Sequence, residues 1–345
     1  MKKIFVSSTE SYSGKSGVAI SLMMILKERG YEVGYFKPFG LNPLKLKDET
    51  CDEDVHFIKN DLNIEVSCPI LLDKPYIDFA VSEDPLRLKK EILDAFSKLK
   101  KDVVIIEGSQ DYQTGTSLGI CDIELAELLD SKVLMVAKYS NDFVIDKILI
   151  AKKLFDERLH DVILNQVSGY KRSYIKALAE NVFKKFDLEI LGIIPKDPFL
   201  MSLKVSEIAK AIDGEFLVKS EKDEDIEQVI VGAMRSESAS QQLRRARNYA
   251  LVVGGDRDEI INLAIQSGAK CVIATGNLEP SAMILALADK NGVPIILSKT
   301  DTATTMAKIH ENFGKIRLRG EKIRRMRKLI EENVNLERLF RSFGL

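Results

Sequence analysis

Gly14-Lys15-Ser16 is the stretch whose residue types say most about chemistry. It closes a run of small and polar residues, Ser8-Thr9-Glu10-Ser11-Tyr12-Ser13, and opens a helical pattern. Such a loop suits a polyphosphate: backbone N–H groups and the positive end of the helix dipole face the anion. Lys15 would add a point charge on the β and γ oxygens, and the Ser16 hydroxyl could coordinate Mg²⁺. Ser13, Gly14, Lys15, Ser16 and Gly17 are therefore the candidate nucleotide-binding residues, with ATP and Mg²⁺ as the implied cofactors. Ser8 or Thr9 stands where such a loop usually has its first glycine. A bare Gly-Lys-Ser also occurs as a plain helix start with a solvated lysine. Its place directly after an N-terminal strand favours phosphate.

Four further positions complete the constellation. Glu107 ends the apolar run Val103-Val104-Ile105-Ile106 and is followed by Gly108, the form expected of a metal or water-positioning ligand. Asp54 closes the acidic run Asp48, Glu49, Asp52, Glu53, Asp54 at a helix start. It is a candidate Mg²⁺ ligand, although acidic residues there are often just caps and dipole partners. Lys37 ends the second strand before Pro38, near the ligand crevice of an open sheet or simply at the surface. The amides Asn165 and Gln166 end another strand, where they could read a base edge or cap a loop.

The elements that must position these residues alternate. Apolar strands are expected at Lys3–Ser7, Glu32–Phe36, Val103–Ile106, Val133–Ala137, Asp161–Gln166 and Ile190–Ile194. Helices are expected at Val18–Lys27, Val55–Leu62, Pro85–Leu99, Asp122–Leu129, Asp142–Phe155 and Ser173–Phe186. Alternation of this kind predicts an α/β fold with a doubly wound, mostly parallel sheet covered on both faces. Pro69–Glu83 reads as irregular and Gln113–Gly119 as a mobile loop.

Composition narrows the setting. The 345 residues suffice for two domains, with 45% hydrophobic content. The 51 basic and 52 acidic residues nearly cancel, which points away from nucleic acid and anionic membranes. Cys51, Cys68, Cys121 and Cys271 are scattered without metal-ligand spacing, so reduced thiols are expected. With no leader pattern and no membrane-length apolar run, a cytoplasmic protein is expected.

The charged run Lys219–Asp225 marks a shift, with a helix expected over Ile226–Met234. Strand, turn and helix then repeat. Ala250–Val253 leads into Gly254-Gly255-Asp256-Arg257, Cys271–Ala274 into Thr275-Gly276-Asn277, and Pro294–Leu297 into Ser298-Lys299-Thr300. In a parallel sheet these turns share one edge, so Gly255, Asp256, Arg257, Thr275, Gly276 and Thr300 outline a candidate second ligand pocket or routine helix capping. The tail 315–328 carries eight basic residues and one acidic one, with Ile323, Met326 and Ile330 on one face, as expected of a docked amphipathic helix.

The first half resembles the dethiobiotin synthetase family of P-loop proteins, in the version that opens long bacterial phosphate acetyltransferases. Ser8-Thr9-Glu10 and Gly14-Lys15-Ser16 stand at the family's Gly-Thr-Asp and Gly-Lys-Thr; Lys37-Pro38, Asp54, Glu107-Gly108, Asn165 and the stretch Gly192–Pro195 match its later motifs. The resemblance implies a lysine near substrate at Lys37, Mg²⁺ at Asp54 and Glu107, an adenine contact at Asn165, and a homodimer. Ser8, Glu10 and Ser109-Gln110-Asp111 depart from the pattern. The second half resembles a DRTGG domain through Gly232-Ala233-Met234, Gly255-Asp256-Arg257 and Thr275-Gly276, with Asn277 departing.

The expected organisation is a P-loop domain over 1–214 and a smaller α/β DRTGG domain with the basic helix over 215–345. The expected function is Mg-ATP-dependent phosphoryl transfer to, or ligation of, a small anionic substrate, with Lys15 and Lys37 as catalytic residues. The alternative is a nucleotide- and metabolite-binding sensor without turnover. Because the chain stops at Leu345 without the acetyltransferase segment, acetyl transfer to phosphate is not expected.

Overall fold

The buried strand runs read from the sequence pair side by side. In the computed structural model, which describes residues 1–47, 49–233, 236–313 and 319–345, these six and an unexpected edge strand, Glu65–Ser67, form a seven-stranded, wholly parallel sheet. Asp48 of the acidic run, Met234 of the Gly-Ala-Met motif and the 315–318 start of the basic tail lie outside the described residues.

The strands are β1 (Lys2–Ser8), β2 (Val33–Phe36), β3 (Glu65–Ser67), β4 (Val103–Glu107), β5 (Lys132–Lys138), β6 (Leu159–Val167) and β7 (Glu189–Pro195). Their spatial order is β7-β6-β5-β1-β4-β2-β3. The helices between them are α1 (Lys15–Glu28), α2 (Glu53–Asp61), α3 (Pro85–Lys98), α4 (Asp122–Leu128), α5 (Val144–Phe155) and α6 (Arg172–Phe183).

Strand alternation divides the core. Phe5, Val104 and Ile106 pack with Leu88, Phe96, Leu125, Ile148 and Phe183 from α3 to α6. Ile4, Val6 and Ile105 are fully buried on the opposite face, which α1 covers. From β1 the chain turns through α1 toward β2; from β4 it turns through α4 toward β5 on the other side. The carboxyl ends of β1 and β4, in register at Val6 and Glu107, therefore flank the crevice where open α/β sheets bind ligands.

A second compact unit spans Asp197–Arg317. The strands of its larger sheet are β8 (Glu215–Val218), β9 (Gln228–Val231), β10 (Tyr249–Gly254), β11 (Cys271–Thr275) and β12 (Ile295–Leu297), ordered β8-β12-β11-β10-β9 with only β8 antiparallel. Helices α7 (Asp258–Gln266), α8 (Ala282–Asn291) and α9 (Thr302–Asn312) follow β10, β11 and β12. Where a helix is expected over Ile226–Met234, the described residues instead hold a short strand, Asp225–Ile226, and β9. Its Val229, Ile230 and Val231 pair with Ala250, Leu251 and Val252, and β-branched residues beside a parallel neighbour favour the ladder over a helical turn. The irregular stretch Pro69–Glu83 includes a short helix, Tyr76–Ser82. Gln113–Gly119 is a tight turn whose Gln113 and Thr114 N–H groups both donate to Asp111 Oδ1 at 2.9 Å.

The compact units do not follow the 214/215 division: the first is Met1–Lys196 together with Leu318–Leu345. The tail forms α10 (Glu321–Asn333) and α11 (Leu336–Ser342) and packs on α1 and β7. Ile323, Met326, Leu329 and Ile330 are buried on one stripe, while Arg327 pairs with Glu28 of α1 and with Glu331. Val334 bridges Gly192 of β7, and the Asn335 N–H donates to Leu191 O at 2.8 Å. A Cβ on Gly192 would lie 2.6 Å from Asn333 O, so the glycine of Gly192–Pro195 is needed where the tail backbone crosses β7.

Candidate functional site

The site is built where α1 begins. Gly14, at the N-cap of α1, takes the left-handed φ of 89° that turns the loop into the helix. The next two residues meet Glu107. Ser16 Oγ donates to Glu107 Oε1 at 2.7 Å, and Lys15 Nζ reaches the same oxygen at 3.3 Å. Tyr35 OH donates to Glu107 Oε2 at 2.9 Å. Glu107 is 1% exposed, and a carboxylate so buried requires donors of this kind. Burial first, then the charge of Glu107, holds the Tyr35 phenol well above its ordinary value, so Tyr35 stays a donor.

Lys37 is not a free cation. Its Nζ lies 2.8 Å from Asp52 Oδ1 and 2.6 Å from Asp54 Oδ2. Burial disfavours its charge, but Asp54, Glu107 and Asp52 outweigh burial and raise the amine above its ordinary value. Burial likewise pushes the Asp54 carboxyl up, and Lys37 more than offsets it, leaving Asp54 below the usual range. Asp52 caps α2 by accepting from Asp54 N at 3.0 Å, and it also accepts from Asn42 N at 3.2 Å. Sequence reading placed Asp52 only in an acidic run; as a buried partner of Lys37 it belongs to the site. Tyr35 was missed too, although strand alternation sets residues 35 and 37 on one face.

Ser16 and Glu107 are thus in contact, and Asp54 is drawn in through Lys37. Among the described residues no three acidic, His or Cys side chains form a ready-made cation cage. The donor set nevertheless suits Mg²⁺, which takes hard oxygens from only one or two carboxylates and keeps several waters.

Behind Glu107 lies a carboxylate that sequence reading passed over. Asp122 accepts from Ser7 Oγ at 2.6 Å and from Ser109 N at 2.8 Å. A Cβ on Gly108 would sit 2.0 Å from Asp122 Oδ2, so Glu-Gly is followed by a turn that only glycine permits. Burial pushes the Asp122 carboxyl up to about 6. A raised carboxyl stabilises the fold below its unfolded value near 4, and that contribution is lost as pH rises through the folded value. The loss amounts to about 3 kcal/mol. Measured by urea unfolding, the stability of the wild type relative to Asp122→Asn is expected to show this decline between pH 4 and pH 7. An identical pH slope in both proteins would remove Asp122 as its source.

The loop's departures each have a contact. Ser8 Oγ donates to Gln110 O at 3.0 Å, and Glu10 pairs with Lys147 at 2.8 Å. Asn165, expected at the adenine, is 4% exposed; its Nδ2 donates to Ser13 O at 2.8 Å.

In the second unit the edge residues also converge. Gly276 N donates to Thr300 O at 2.8 Å, and a Cβ on Gly255 would lie 1.7 Å from Leu278 O. Thr275 Oγ1 donates to Val253 O at 3.2 Å and so accepts from Thr302 Oγ1 at 2.8 Å; Thr300 and Thr305 hydroxyls lie 2.9 Å apart. These hydroxyls satisfy one another, as helix capping and turn packing require.

Residues 2–204 match the family described as an AAA domain, and residues 207–312 match the DRTGG domain. Among curated proteins, the phosphate acetyltransferase of Pseudomonas aeruginosa is 25% identical over 345 residues, covering 91% of this chain and 48% of its own length. The ATP-dependent dethiobiotin synthetase BioD of Methanococcus vannielii is 27% identical over 214 residues, covering 58% of this chain and 97% of its own. The chain spans about half the length of the phosphate acetyltransferase it matches (48%). Among solved structures, the septum site-determining protein MinD of Pyrococcus horikoshii, complexed with Mg-ADP, aligns over 58% of this chain and 83% of its own at 19% identity, with a TM-score of 0.39.

Proposed function

The chain belongs to the AAA domain family through residues 2–204 and carries a DRTGG domain over 207–312, and from that premise we propose that its first unit binds Mg-ATP and transfers the γ-phosphoryl to a small acceptor, or uses it to ligate one. The observation that carries this reading is the meeting of Lys15 and Ser16 on Glu107 at the carboxyl edge of the sheet. In this reading the loop N–H groups and Lys15 hold the β and γ oxygens, stabilising charge as the phosphoryl moves. Ser16, Glu107 and Asp54 would hold Mg²⁺, which neutralises the phosphate charge when bound.

Two buried hydroxyls beside these groups, Thr9 Oγ1 and Ser109 Oγ, have no hydrogen-bond partner among the described residues. Unpaired buried hydroxyls are costly, and a bound ligand would supply what they lack. A cavity of about 370 Å³ starts at Gln110 and is walled by Leu41, Leu72, Tyr76 and residues 113–117. That size lies within the range of small-molecule sites. The acceptor would place its uncharged body there, and Lys37 is the candidate contact for an anionic group. Calorimetry should show ATP binding that EDTA abolishes, and a panel of small carboxylic acids should contain one that stimulates ATP turnover. Absence of Mg-dependent ATP binding would overturn the proposal. Tight binding with no turnover across the panel would favour the sensor reading, which the DRTGG domain supports.

A further inference from the structure

Strand β6 is irregular where it reaches the phosphate loop. Against β7, Leu164 pairs with Ile193 but Val167 pairs with Pro195, so β6 spends an extra residue at Asn165-Gln166. Gln166 takes a left-handed φ of 60°, uncommon for a residue with a side chain. Bulges of this kind re-aim side chains, and backbone held in sparsely populated regions clusters at functional sites.

Both amides are aimed at the loop backbone. Asn165 Nδ2 donates to Ser13 O at 2.8 Å, and Gln166 Nε2 donates to Tyr12 O at 3.1 Å. Asn165 Oδ1 accepts from Gln166 N at 2.8 Å, which locks the pair together. The packing is close: a Cβ on Gly14 would lie 2.2 Å from Asn165 Nδ2. The loop needs such support, because Tyr12 and Gly14 are both left-handed, with φ of 56° and 89°. A trans peptide is planar, its C=O and N–H pointing in opposite directions. Holding the carbonyls of Tyr12 and Ser13 toward β6 therefore turns the N–H groups of Ser13 and Gly14 away from it, free to face an anion.

We infer that the β6 bulge holds the phosphate loop in its binding conformation, with Asn165 and Gln166 as positioning residues that serve the polyphosphate rather than the base. The inference rests on the Mg-ATP reading above. It assigns the two amides a role that is blind to the nucleobase, so ATP, GTP and inorganic tripolyphosphate all depend on them equally.

The test is calorimetry of Mg-ATP, Mg-GTP and Mg-tripolyphosphate on the wild type, Asn165→Ala and the isosteric Asn165→Asp, with hydrogen exchange of the loop amides in the ligand-free proteins. Both variants should weaken all three ligands by the same factor, about tenfold. Exchange at residues 12–16 should rise by a similar factor while the rest of the sheet keeps its protection, which also establishes that the variants are folded. Loss of ATP affinity with tripolyphosphate unchanged would make Asn165 a base reader and overturn the inference, as would unchanged exchange at the loop. A wild type that binds none of the three ligands would defeat the Mg-ATP reading, and the exchange measurement would still decide whether the bulge holds the loop.

Discussion

Replacing Lys15 with alanine is expected to lower Mg-ATP affinity by at least about 100-fold, since a lysine on two phosphate oxygens contributes two charge-assisted hydrogen bonds of about 1.5–3 kcal/mol each. The ammonium now rests 3.3 Å from Glu107 Oε1, so it is already stationed at the mouth of the loop. The fold should survive the change. Glu107 keeps the hydroxyls of Ser16 and Tyr35 as donors, and Lys37 still contributes positive charge nearby. Calorimetry beside a thermal melt separates the two effects. A Lys15→Ala protein that melts like the wild type and binds Mg-ATP within about threefold of it would refute a phosphate role for this loop.

A chain lacking residues 319–345 is expected to lose the first unit while keeping the second. The tail buries Ile323, Met326, Leu329, Ile330, Val334, Leu339, Phe340 and Phe343. At about 1.5–3 kcal/mol per fully buried apolar side chain, an upper estimate, this is about 12–24 kcal/mol, as large as the whole of the about 5–15 kcal/mol that holds a typical domain together. Removal would also uncover α1 and β7, leaving Leu191 O without the N–H of Asn335. The second unit has its own five-stranded sheet and core around Leu251, Val272 and Ile295. Limited proteolysis with mass spectrometry should find fragments of residues 197–313 protected and those of 1–196 degraded. Equal protection of both in the shortened chain would mean that the tail is a surface attachment.

The two results would bear on different properties of the same helix. Lys15 and Ser16 at the start of α1 meet Glu107 of the proposed site, whereas Glu28 near its end holds Arg327 of the tail. A helix transmits position along its length because its backbone hydrogen bonds leave little freedom between turns. The helix that opens at the loop is thus gripped at its other end by a residue 299 positions later in the chain, Arg327 on Glu28.

Much of this was legible in the amino-acid order alone. Continuous apolar runs such as Val103–Ile106 marked the buried strands, and the order of motifs from Gly14-Lys15-Ser16 through Glu107-Gly108 marked the loop and its acidic partner, because local spacing encodes which face and which end of an element a residue occupies. Only the tertiary structure decided the rest. It paired Lys37 with Asp52 and Asp54, set Asp122 beneath Gly108, turned Asn165 and Gln166 onto the loop, made Gln228–Val231 a strand, and returned the tail to α1. Each of these depends on backbones or charges meeting across long stretches of chain. Periodicity within a window says which side of an element is apolar, but the partner for that side is chosen by packing.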